Sequence, residues 1–198
     1  IIIDNSPEVL VLPSTIFDFM QESNDFYFPP IVGSYLRIVR AIIFGLALLL
    51  TPVWYLLIQN PELIPEGLSF ILIDEPYSIP VFLQLMIIEL VVDALKLASL
   101  NTPNSLSNSL SIIGALVLGE LAVSAKLFSS EVVLFMAFVA IANFAQPSIE
   151  LGYAFKHSRV FILVMTALFN VVGFCVALIL TILMIALTST SSGKSYLY

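Results

Sequence analysis

Val160-Phe-Ile-Leu-Val-Met-Thr-Ala-Leu-Phe-Asn-Val-Val-Gly-Phe-Cys-Val-Ala-Leu-Ile-Leu-Thr-Ile-Leu-Met-Ile-Ala-Leu187 is a run of 28 residues without a charged side chain. As one helix rising ~1.5 Å per residue it would reach about 42 Å, against a hydrocarbon core of about 30 Å. A soluble domain has no use for such a run, so the stretch is read as the last membrane span. Immediately before it, Lys156, His157 and Arg159 form a basic cluster of the kind that marks a membrane edge. The single histidine is expected there as an edge residue rather than as a ligand or base.

Composition extends this reading to the whole chain. Of its 198 residues 60% are hydrophobic and 11% charged, whereas globular domains carry about a quarter charged residues. The formal net charge of −7 argues against nucleic acid, which needs clustered Lys and Arg. One cysteine, Cys175, lies inside the apolar run, which leaves no disulfide framework and no cysteine metal site. No Walker loop, dinucleotide fingerprint or HExxH motif occurs, and no nucleophile stands beside a histidine on a recognisable scaffold. Neither catalysis nor a cofactor is expected. The opening Ile-Ile-Ile-Asp has no initiator Met and does not resemble a secretory signal, so the chain reads as a piece of something longer.

Working back from the last span, the expected architecture is an all-α polytopic membrane protein of four to five transmembrane helices. One re-entrant or interfacial helix is allowed for. Residues 1–32 are a juxtamembrane segment, 33–188 the transmembrane domain and 189–198 a polar tail. In the first, Ser14 before Ile16, Phe17, Phe19 and Met20 reads as a helix cap leading into an interfacial turn. Ser34–Ile58 is the first span, with Arg37 and Arg40 at one end, Trp54 and Tyr55 as interfacial aromatics at the other, and Pro52 in its last turns. The following loop is acidic and lacks Lys and Arg, so the arginines are placed in the cytoplasm and the loop outside. Val81–Leu100, Ser105–Val123 and Glu131–Ile149 are further apolar stretches. Five crossings would put the tail outside, whereas one re-entrant segment would keep it inside.

Charged or amide side chains inside a bilayer are costly, about 2.5–3.5 kcal/mol for an ionised group at its centre. Glu89, Asp93 and Lys96 share one helical face, either as a self-neutralising structural trio or as the lining of an ion path. After Pro103, Ser107, Ser111, Ala115 and Gly119 repeat every four residues, flanked by Asn104 and Asn108, with Glu120 at the far end. That ridge suits close helix packing, and equally a water-facing pore helix. Asn143, Gln146, Pro147 and Glu150 form a third group, read as a hinge because proline frees backbone carbonyls that lipid cannot satisfy. Thr166, Asn170, Gly173, Ala177 and Thr181 share a face of the last span and are read as helix packing.

Five ordered stretches carry a resemblance: Ile2 to Pro13, Asp25-Phe-Tyr-Phe-Pro29, Gly33-Ser-Tyr-Leu-Arg-Ile-Val-Arg40, Pro103 to Gly119, and Pro147-Ser-Ile-Glu-Leu-Gly152. Together they resemble the membrane domain of the A-subunit family of bacterial spore germinant receptors, the GerA type. Leu100-Asn-Thr-Pro-Asn104 and Ser195-Tyr-Leu-Tyr198 are most similar to its stage V sporulation protein AF branch. The resemblance implies a multi-pass protein of the spore inner membrane, a soluble N-terminal domain upstream, and a short cytoplasmic tail after an even number of crossings. It also implies copies assembled as a ring around an ion channel, with other germination membrane proteins as partners. Under it the Asn104–Glu120 segment is the pore helix and the protein passes monovalent cations. A non-conducting scaffold and an ion-coupled carrier using Glu89 or Asp93 are the alternatives.

Overall fold

The computed structural model describes residues 15–22, 25, 27–73, 77–101, 119–120 and 122–189, and is all-helical among them. The chain divides into two compact units, one of Ile1–Leu48 with Ala142–Tyr198 and one of Leu49–Ile141.

The first unit contains α1 (Ile16–Met20), the beginning of α2 (Pro30–Gln59) and α5 (Ile149–Leu187). The cap of α1 is Thr15, one residue beyond Ser14, which lies outside the described residues. The Asp18 carboxylate accepts from the Thr15 N–H at 2.7 Å and from its hydroxyl at 2.9 Å, closing the first turn. Pro30 opens α2, a position where its missing N–H would have no helical partner anyway. The helix then continues through Pro52 to Gln59.

The decisive feature of α5 is Asn170, which sits at φ 52° and ψ −135°, outside helical space. In one straight helix Leu151 and Ile185 would stand about 51 Å apart. Instead both belong to a single apolar cluster with Ile16, Phe44, Phe19, Met20 and Phe155. Near the break, a β-carbon on Gly173 would overlap the Met165 carbonyl oxygen and lie 2.9 Å from the Phe169 β-carbon. Residues eight apart in a continuous helix do not meet. The chain therefore reverses at Asn170, and residues 149–169 and 171–187 are the two antiparallel arms of a hairpin, about 31 and 25 Å long.

This corrects the reading of Val160–Leu187 as one span. Charge-free length is what periodicity and hydropathy detect, and an Asn–Gly pair three residues apart in an apolar run barely alters either. Thr166, Gly173, Ala177 and Thr181 are buried, while Asn170 is exposed at the turn. The buried hydroxyls donate within their own arms, Thr166 to the Ile162 carbonyl at 2.7 Å and Thr181 to the Ala177 carbonyl at 2.8 Å.

Phe44 lies against Phe155 with ring centroids 5.1 Å apart, and Arg159 hydrogen-bonds the Ala47 carbonyl. A step of three residues along α2 thus matches a step of four along the first arm, so the two run parallel. Arg37, Arg40, α1, the start of α5 and its end at Leu187 consequently gather at one end of this unit. Asn170 lies at the other.

The second unit holds the rest of α2, 3-10 turns at Pro61–Leu63 and Glu66–Ile71, α3 (Val81–Asn101) and most of α4 (Ser130–Phe144). Trp54 is only 2% exposed; its indole N–H donates to the Ile71 carbonyl at 3.0 Å and its ring stacks 4.6 Å from Phe135. Tyr55 is buried 6.1 Å from Phe82. These aromatics are core residues, not the interfacial ones expected from their place near a span end. Gln84, fully buried, donates to the Ile79 carbonyl at 2.6 Å and accepts from the Ser129 N–H at 2.9 Å, tying the starts of α3 and α4 together. α4 turns Val132, Met136 and Val139 inward and stops at Phe144, before Pro147.

Two helices, Pro30–Gln59 and Ile149–Leu187, are apolar and long enough to cross a bilayer, and the break at Asn170 divides the second into arms of about 31 and 25 Å. Ile38, Ile42 and Leu46 on α2 and Ile179, Ile182 and Leu183 on the second arm leave apolar stripes exposed. Contiguous surfaces of that kind are suited to lipid.

Candidate functional site: polar groups inside the apolar helices

At the gathered end of the first unit, Arg40 clamps the juxtamembrane segment. Its guanidinium donates to both carboxylate oxygens of Asp25 and, at 3.1 Å, to Glu22. The Glu22 N–H also donates to Asp25 at 3.3 Å. The arginine's hydrogen bond, aided by that backbone donor and the Arg37 charge, holds the Asp25 carboxyl below its usual range despite burial. Sequence reading marked Arg40 as an edge charge and missed its partner, although the acidic residues just upstream of the arginines were the available signal.

Arg159 departs further from expectation. It is fully buried and donates to the Ala47 carbonyl, so it is not part of an exposed basic edge. The accepting carbonyl lies one residue before Leu48, whose own carbonyl has no helical N–H partner because of Pro52. His157 does stand exposed, its Nδ1 2.7 Å from the Tyr153 carbonyl one turn back. Among the described residues no group of His, Cys, Asp and Glu has a metal-binding arrangement.

The four expected hinge residues straddle the gap between α4 and α5. Asn143 is 8% exposed, and its Oδ1 has no hydrogen-bond partner among the described residues; neither does either amide atom of Gln146. Gln146 Oε1 lies 2.5 Å from where a β-carbon on Gly152 would stand, so the side chain is laid over the first turn of α5. Pro147 is in the link, and Ser148 caps α5 by accepting from the Leu151 N–H at 3.2 Å while donating to Glu150 at 3.0 Å. A buried amide left dry costs about 1–3 kcal/mol, so Asn143 and Gln146 favour a hydrated position.

On α3, Glu89 is 6% exposed and Asp93 and Lys96 are half-buried on the same face. Of the expected pore helix, Asn104, Ser107, Asn108, Ser111 and Ala115 lie outside the described residues. Its far end is described: Gly119 is helical and half-buried, with Val133 4.0 Å from its would-be β-carbon, and Glu120 is helical and exposed. The structure therefore brings together Gln146 with Gly152 and Glu150 with Ser148.

Comparison with known proteins decides the family. The model of the Bacillus/Clostridium GerA spore germination protein family matches residues 1–198. The chain belongs to this family. It is 36% identical over 97% of its length to Stage V sporulation protein AF of Bacillus subtilis (strain 168), covering 38% of that protein. Uncharacterized membrane protein YfkQ of the same organism is 29% identical over 91% of the chain and 36% of its own length. Spore germination protein A1, also from Bacillus subtilis (strain 168), is 28% identical over 99% of the chain and 41% of its own length. The chain thus spans well under half of these relatives. Their names tie the family to sporulation and germination. No solved structure matches the chain.

Proposed function

We propose that this chain is the membrane domain of a germination-complex subunit whose copies ring a cation-conducting pore in the spore inner membrane. The observation that carries the reading is polar material placed where lipid would forbid it. Glu89 is buried about midway along the apolar helix α3. Such groups are tolerated at membrane depth beside water or inside protein. In the proposed arrangement the Ser107–Gly119 ridge faces the axis, its hydroxyls and amides wetted, with the carboxylates of Glu89, Asp93 and Glu120 favouring cations. No enzymatic step is assigned to it.

The hairpin supports an even number of crossings. α2, α3, the 105–123 stretch and α4 cross, and α5 dips in and returns. The tail then ends on the side of Arg37 and Arg40, the cytoplasmic side by the positive-inside rule. The test is cation flux from liposomes holding the full-length protein alone. Flux that Ala115→Phe blocks supports the pore; vesicles that stay sealed with wild-type protein overturn it and favour a scaffold.

A further inference from the structure

A cavity of about 820 Å³ opens between the two arms of α5 at the end where α1 meets them. Ile16 and Phe19 of α1, Ala154 and Phe161 of the first arm, and Leu180 and Ile185 of the second form its walls. Its size is that of a ligand site, about 300–1,000 Å³. The hydroxyls that line it are already used: Ser158 donates to the Ala154 carbonyl at 2.9 Å, Thr181 to Ala177 at 2.8 Å and Thr188 to Met184 at 2.7 Å. No hydroxyl proton is left for an occupant, so the wall suits hydrocarbon.

The rim differs from the wall. Glu150 stands there exposed, while His157, two turns further along the first arm, has its Nδ1–H held by the Tyr153 carbonyl. The wall is also continuous with exposed surface: Phe161 is 40%, Leu180 47% and Met184 72% exposed. An occupant can therefore enter sideways from the acyl region of a bilayer while keeping a polar end at the rim.

We propose that an acyl chain of a membrane phospholipid with an ammonium head group fills this cavity, with its ammonium group at the Glu150 carboxylate. A phospholipid with an ammonium head group matches three features at once: an apolar wall, a carboxylate at the rim, and a lateral opening. The chain wedges the arms at their base, where α1 closes over it, and so joins the juxtamembrane segment to the hairpin through lipid. The inference rests on the membrane placement of α5 and not on conduction.

The test uses the full-length protein in phosphatidylethanolamine nanodiscs carrying a trace of phosphatidylcholine with a photoreactive group on its acyl chain, either near the carbonyl or near the chain end. Peptide mapping is expected to place the carbonyl-proximal label at Ile16, Leu151 or Thr188 and the chain-end label deeper, at Phe161 or Leu180. Ala154→Trp, which fills the cavity, is expected to abolish both while labelling persists at Val172, an exposed residue near the turn. The depth order in wild-type protein stands as a test should that variant not fold. Wall labelling unchanged in Ala154→Trp overturns the proposal, as does an unlabelled or reversed wall beside a labelled Val172. Absence of label at Val172 as well overturns it together with the membrane placement.

Discussion

Adding a single methyl group at Gly173 sets two effects of known size against each other. Within a helix, Gly→Ala ordinarily stabilises by roughly 0.5–1 kcal/mol, because the unfolded chain loses freedom. At Gly173 the new β-carbon would overlap the Met165 carbonyl oxygen and stand 2.7 Å from the carbonyl carbon. Carbon contacts settle near 3.5–4.0 Å, so the arms must part by about 1 Å. The obstacle is backbone of the opposite arm, which cannot rotate away as a side chain would. Overpacking of this kind costs about 1–3 kcal/mol and exceeds the propensity gain. Gly45 supplies the control, since nothing lies within 4 Å of its would-be β-carbon. Thermal melts in detergent are expected to show Gly173→Ala lowered, by about 2–4 °C per kcal/mol for a chain of this size, and Gly45→Ala unchanged or raised. A melting temperature for Gly173→Ala at or above that of Gly45→Ala would refute the close approach of the arms.

Three further substitutions probe separate parts of the account. Asn170→Gly relieves a positive φ and is expected to stabilise by about 1 kcal/mol, whereas Asn170→Val costs about 1–3 kcal/mol, both read from the same melts. Arg159→Ala empties a fully buried site and is expected to cost about 2–4 kcal/mol; Arg159→Met, which keeps the packed stem, recovers most of it. Asp25→Asn is expected to speed proteolysis of the 16–25 segment at neutral pH. Because the Asp25 carboxyl is lower when folded than its ordinary 3.8, its contribution is complete above that value and is lost as pH falls through the folded one. Wild-type protection should therefore hold to about pH 4 and fail below it, and protection unaffected by either change would dismiss the clamp.

Much of the framework was readable from composition and periodicity. Val81–Leu100 as a helix became α3 with one residue added, and the interfacial turn at Ile16–Met20 is α1. What escaped was geometry carried by single residues. Hydropathy sums over a window, so Asn170 and Gly173 vanish into an apolar background although they reverse the chain. Arg159 reads as an edge cation because sequence shows its basic neighbours, Lys156 and His157, and not the Ala47 carbonyl over a hundred residues away. Trp54 fits an aromatic belt by position but is buried by Phe135 and Ile71, long-range partners that spacing does not reveal. Gln84 drew no notice, since one amide near a helix start carries no pattern. Polar residues were found where several share a face, as with Glu89, Asp93 and Lys96, and missed where one acts alone.

The reversal at Asn170 underlies the tail's placement, the lipid cavity and the even count of crossings, and one distance tests it. Spin labels on cysteines replacing Glu150 and Thr188, with Cys175→Ser to remove the native thiol, report the separation of the two ends of α5. Both residues line the same cavity between adjoining helices, each about 10–12 Å across, so a distance below about 25 Å is expected. A single population near 57 Å, the span of an unbroken helix between those positions, would contradict the hairpin and all that rests on it.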